Sequence, residues 1–213
     1  MPFLHITTRI DDHPYDSLLR EKGGTGFPTL MFLDPGGRKL MRYRGPRTVK
    51  GFEESLGDVE EFTALLKRAE QGDKKVAGKL FIRQLELEWF SFEEATRRYK
   101  KLTKVSGKEK KQIESLLVDT EVRTITKDAG RDEDKCLSAG KHFLGMWKDK
   151  QIPGSDAQLY SFWLFIANYA EEEGDKKLFK KTVAEFKKSV GTNRQYRKAL
   201  KVLEERLENF TRS

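Results

Sequence analysis

One cysteine, Cys136, stands alone in 213 residues. A lone thiol cannot close an intramolecular disulfide, and dithiol-disulfide exchange needs an attacking thiolate and a resolving partner, so this chain by itself holds no two-cysteine redox centre. Cys136 itself reads as a small apolar filler on a helix rather than as a reactive thiol. Histidine is almost as scarce: His5, His13 and His142 are far apart, and none sits in a Cys/His or His-x-x-x-His metal spacing. No metal and no cofactor is therefore expected. Long apolar runs are missing too, since no window approaches the ~18 consecutive apolar residues of a membrane span. The N-terminus lacks the basic-then-apolar pattern of a signal peptide, which makes the cytoplasm the default compartment. A periplasmic or secreted location would follow only from a signal peptide encoded upstream.

Patterns that serve catalysis elsewhere are incomplete here. Gly23-Gly24-Thr25-Gly26 shares only glycine content with a phosphate loop, because no Lys-Ser/Thr follows and the next element is a strand. Asp11-Asp12-His13 precedes Pro14 and suits the cap of a helix better than a divalent-metal cluster. No serine has a nucleophile-elbow context, and the pairs Glu53-Glu54 and Glu93-Glu94 fit first helical turns better than a general acid and base.

What the chain does have is charge and aromatic bulk. Lys and Arg number 42 against 34 Asp and Glu, for a net charge of +8, while a 37% hydrophobic content with 14 Phe is enough to build a core. The densest basic run is Lys100-Lys101-Leu102-Thr103-Lys104 with Lys108-Glu109-Lys110-Lys111. Tyr99 is the one aromatic nearby, so a solvated helix-loop-helix corner is expected there rather than a nucleic-acid surface; an RNA- or lipid-headgroup-binding helical module stays a third reading, which predicts strongly salt-dependent affinity.

The most informative stretch runs from Gly26 to Arg44. Phe27-Pro28-Thr29 leads into the continuous apolar run Leu30 to Leu33, as expected for a strand covered on both faces. Asp34-Pro35-Gly36-Gly37 supplies turn chemistry, and the alternation from Arg38 to Arg44 suits a partner strand nearer an edge. Gly45-Pro46-Arg47-Thr48 breaks the strand; Val49, Phe52 and Leu56 then recur at helical spacing.

This order of elements resembles the second half of a thioredoxin-like domain. In that family a strand and helix lead to a small-apolar-Pro-Thr segment with a cis proline, then an antiparallel hairpin with an Asp-x-x-Gly turn and a closing helix. Pro2 to Thr8 is similar to the family's central strand, with an unpaired edge near Phe3 to Thr7, and Tyr15 to Lys22 to the helix after it. The resemblance implies a β-α-β-β-α partial domain over residues 1–72, without the first strand and Cys-x-x-Cys helix. It also implies that the backbone of Phe27, beside Pro28 and Thr29, pairs with an extended segment of a bound protein. Two functions follow as expectations: a protein-binding or structural module without redox cysteines, or the C-terminal part of a thiol-disulfide oxidoreductase whose Cys-x-x-Cys segment lies upstream of this sequence. The open edge predicts homo-oligomers.

After a boundary near Gln71-Gly72-Asp73 the spacing is helical to the end. Gly57 is expected to stop one helix, with Asp58 and Glu61 capping the next. Ser91 with Glu94, and Ser106 with Glu109, mark further starts; Val122 to Ala129 reads as a separate segment, and Lys135 to Trp147 as a helix. Leu159, Phe162, Trp163, Ile166 and Ala170 make the most apolar helix, central to residues 73–213. Gly174-Asp175 then opens a partner carrying Phe179, Val183 and Phe186, and Gly191 precedes a last helix with Leu200, Leu203 and Leu207. The pair flanking Gly174 resembles a tetratricopeptide hairpin, although no second copy at the ~34-residue period stands out. An all-helical bundle or repeat-like domain is the expectation.

Overall fold

The computed structural model describes residues 18–24, 26, 28–190 and 193–212. It is mostly helical with one small antiparallel sheet, and it divides into two compact units, Met1–Trp89 and Phe90–Ser213. The division falls later than the polar break at Gln71 to Asp73, because the helix after that break packs on the helix before it and Leu87 and Trp89 beyond it join the hairpin's cluster.

In the first unit, the described elements are α1 (Leu18–Glu21), β1 (Leu30–Leu33), β2 (Lys39–Tyr43), α2 (Val49–Glu70), a 3-10 turn (Lys74–Val76) and α3 (Ala77–Glu86). The expected strand at Phe3 to Thr7, with the oligomer edge assigned to it, lies outside the described residues; of the expected helix from Tyr15, Leu18–Glu21 is described. β1 and β2 pair antiparallel, Leu30 opposite Tyr43 and Phe32 opposite Met41, with a register shift between Phe32 and Leu33.

Gly57 does not end a helix. α2 runs through it for 22 residues, with Thr48 as N-cap accepting from the Gly51 amide. One exposed glycine costs a helix only about 1 kcal/mol relative to alanine. Phe52, Val59, Phe62 and Leu66 lie at seven-, three- and four-residue spacings on one face, so continuous packing outweighs that local weakness. Beneath it Leu40, Phe62 and Leu87 are buried, with Phe32, Val59, Leu66, Leu80 and Trp89 packed against them, and Val76 just before α3 and Phe81, Ile82 and Leu85 along it are also buried.

The second unit contains α4 (Phe92–Tyr99), α5 (Gly107–Ala129), α6 (Glu133–Lys148), α7 (Asp156–Glu172), α8 (Lys176–Val190), a 3-10 turn (Arg194–Tyr196) and α9 (Arg197–Arg212). Val122 to Ala129 is the C-terminal part of α5, not a separate segment. Ser106 and Glu109 form a reciprocal capping box at the start of α5, Ser91 accepts from the Glu94 amide, and Asp175 accepts from the Leu178 amide at 2.8 Å. These bonds satisfy amides that helix starts leave without partners.

Each helix packs chiefly on its neighbours in sequence, α4 on α5, α5 on α6, α6 on α7, α7 on α8 and α8 on α9, with α5 also meeting α7. α7 is the centre, as its apolar spacing predicts: Phe162, Trp163, Phe165, Ile166, Ala167 and Ala170 are all buried. Phe143 stacks on Phe162 at 5.4 Å between ring centres, and Trp147 meets Trp163 edge-on at 4.8 Å. Each such pair adds about 0.5–1.5 kcal/mol beyond area burial. α6 approaches α7 at Gly140, where a Cβ would stand 2.3 Å from the Phe165 carbonyl oxygen and 2.6 Å from Tyr169 Cβ. Only hydrogen fits there. Cys136 packs, half-buried, against this core, in keeping with a filler role.

Candidate functional site

The segment from Gly26 to Tyr43 is held by its own polar groups. Asp34 organises the turn: its amide donates to the Arg38 carbonyl at 2.9 Å, its carbonyl accepts from Gly37 at 2.9 Å, and its carboxylate accepts from the Arg38 amide and Nε at 2.8 and 2.6 Å. Burial raises the Asp34 carboxyl, but these Arg38 hydrogen bonds and the guanidinium charge outweigh it and hold the group below its usual range. Gly37 has φ of 75°, a left-handed conformation open to glycine at little cost, and its carbonyl accepts from Lys22 Nζ at 2.7 Å.

β2 is fastened to the end of α3. Trp89 Nε1 donates to the Lys39 carbonyl at 2.6 Å, Arg38 lies over the Trp89 ring at 5.1 Å, and Lys39 Nζ approaches Glu88 Oε2 at 3.7 Å. Glu88 takes φ of 59°, the backbone reversal after α3 that precedes Trp89. On the other side Tyr43 stacks on Phe52 at 4.3 Å and its hydroxyl donates to the Pro46 carbonyl.

This fastening reverses the expected roles of the strands. Leu40, Met41 and Tyr43 of β2 are buried, whereas no residue of β1 is fully buried and Leu33 is 41% exposed. The apolar run Leu30 to Leu33 is therefore the less covered strand, and alternation in β2 reflects pairing plus the cover of α2 and the residues after α3. Among the described residues β2 is the one strand paired with β1.

Of the residues singled out for peptide binding, Phe27 and the Phe27–Pro28 bond lie outside the described residues. Pro28 is exposed and Thr29 half-buried, with the Thr29 hydroxyl donating to the Gly26 carbonyl at 2.5 Å. Both adjoin the start of β1. The strand is legible as a four-residue apolar run beside Pro28, but its cover is not: Leu30, Met31 and Phe32 are half-buried and Leu33 exposed, as set by residues of α2, α3 and the segment after α3.

Among the described residues no group of three or more His, Cys, Asp or Glu is placed to hold a metal ion. His142, 49% exposed, instead meets Glu121 at 2.9 Å. No helix among them is long and apolar enough to cross a membrane. No family model, no curated protein and no solved structure matches this chain.

Proposed function

We propose that the chain is a polypeptide-binding module: the C-terminal portion of a thioredoxin-like domain, without redox cysteines of its own, joined to a helical domain. The bound segment would lie extended beside Pro28, Thr29 and β1. One observation carries this reading: an apolar strand with no fully buried residue follows directly on an exposed proline. Strand addition fits such an edge, since backbone hydrogen bonds supply affinity and apolar side chains on alternate positions add contact area. The order Pro28, β1, Asp34–Gly37 turn, β2 and α2 supports the thioredoxin-like part of the proposal.

The test is fluorescence anisotropy with a labelled, reduced and iodoacetamide-blocked polypeptide, which cannot fold or exchange disulfides. Wild-type protein is expected to bind, and Leu33→Lys to bind about tenfold more weakly with unchanged circular dichroism, because edge lysines discourage strand pairing. Equal binding by wild type and Leu33→Lys, or no binding by either, would overturn the proposal.

A further inference from the structure

One corner of the second unit is densely basic. Residues 97–111 carry eight Lys and Arg against the single acid Glu109, a net charge of +7 in a chain whose total is +8. The segment spans the last turn of α4, the following loop and the first turn of α5. Arg98 is engaged, paired with Glu94 at 2.7 Å and lying over the Phe90 ring at 4.4 Å, and Lys110 approaches Glu114 at 3.9 Å. Arg97, Lys100, Lys101, Lys104, Lys108 and Lys111 are all exposed and have no ion pair among the described residues.

Beside these cations lies a cavity of about 450 Å³ lined by Phe92, Glu93, Thr96, Arg97, Lys100 and Lys101. Phe92 and Thr96 are its half-buried members, and the Thr96 hydroxyl has no hydrogen-bond partner within the chain among the described residues. The cavity thus combines an aromatic side chain with a cationic rim broken only by Glu93.

We infer that this corner binds an acidic polypeptide segment, with carboxylates on Arg97, Lys100 and Lys101 and an apolar side chain of the partner seated against Phe92. Charge complementarity selects an anion, since unpaired surface cations raise the local concentration of acidic ligands and speed their capture. The cavity selects a polypeptide. A flat lipid surface cannot fill it, and single-stranded nucleic acid needs free aromatic faces for stacking. Arg98 covers Phe90, and Tyr99 is half-buried with its hydroxyl donating to Glu114 at 3.3 Å, which leaves Phe92 alone, one ring where a run of stacked bases needs several. This site is separate from the one beside Pro28 and does not depend on it.

The test uses the full chain and four probes: a short labelled peptide of glutamates interrupted by phenylalanine, the same length of glutamate alone, a single-stranded RNA homopolymer, and phosphatidylserine vesicles. The phenylalanine-containing peptide is expected to bind at low salt, to weaken as salt rises, and to lose about tenfold or more in affinity to the double variant Lys100→Glu/Lys101→Glu. Glutamate alone is expected to bind about tenfold more weakly. Both substituted positions are exposed, so circular dichroism should be unchanged. Equal affinity for both peptides, tighter binding of RNA or of phosphatidylserine vesicles than of the phenylalanine-containing peptide, or indifference to the charge reversal would overturn the inference.

Discussion

The hairpin of the first unit and the helical core of the second are stabilised by different means. The second has a continuous core running from α5 to α9, with Phe143, Phe162, Trp163, Phe179 and Phe186 at 1% exposure or less. In the first, Val76 just before α3 and Phe81, Ile82 and Leu85 along it are buried, but the cluster against the hairpin holds Leu40, Phe62 and Leu87, and the hairpin relies on short-range polar devices: the Asp34 turn, the Thr48 cap that follows it, and the Trp89 hydrogen bond to Lys39. Burial scales with area and is worth about 1.5–3 kcal/mol for each large apolar side chain, whereas a hydrogen bond contributes about 0.5–1.5 kcal/mol net. An element held mainly by the second kind of interaction opens more readily, and binding surfaces are drawn from such elements.

If that contrast is right, the largest effect comes from cutting the aromatic core. Phe162→Ala should lose about 3–5 kcal/mol, seen as a fall in the thermal midpoint of the second unit. Gly140→Ala should lose about 1–3 kcal/mol by forcing α6 off the Phe165 carbonyl, although it adds a better helix former; chemical denaturation measures it. Ser106→Ala, which removes half of the capping box, should cost about 1 kcal/mol in the same assay.

The smallest expected effect sharpens the comparison from the other side. Asp34 has its pKa lowered in the fold, so its contribution is present above the ordinary aspartate pKa and is lost as pH falls through the lowered folded value. Acidification below about pH 4 should therefore loosen the hairpin. Asp34→Asn should weaken it by about 0.5–1 kcal/mol at neutral pH and remove that acid response, as read from Trp89 fluorescence against pH in a variant whose other tryptophans are replaced by phenylalanine.

Much of this fold was legible in local sequence because its signals act over a few residues. Ser91, Ser106 and Asp175 cap the helices they precede, the Asp34-Pro35-Gly36-Gly37 run makes the turn, and the spacing of Phe162, Trp163, Ile166 and Ala170 marks the most buried helix. Features settled by distant residues were not legible. Whether β1 or β2 is covered depends on Phe62, Leu87 and Trp89, and nothing near Leu30 or Leu40 announces them. Gly57 looked like a stop because its propensity is local, while the apolar face that carries α2 through it extends over four turns. The candidate site divides in the same way: Pro28 and Thr29 are an expectation read from their setting, whereas the exposure of Leu33 beside them follows from how the rest of the unit packs.

Hydrogen exchange on the full chain, with and without the blocked unfolded polypeptide, tests this account most directly. It predicts that amides of β1 and β2 exchange much faster than those of α7 and α8 in the free protein, and that the polypeptide slows exchange at residues 28–33 while leaving α7 unchanged. Hairpin amides as slow as those of α7, or protection gained elsewhere but not along β1, would contradict it.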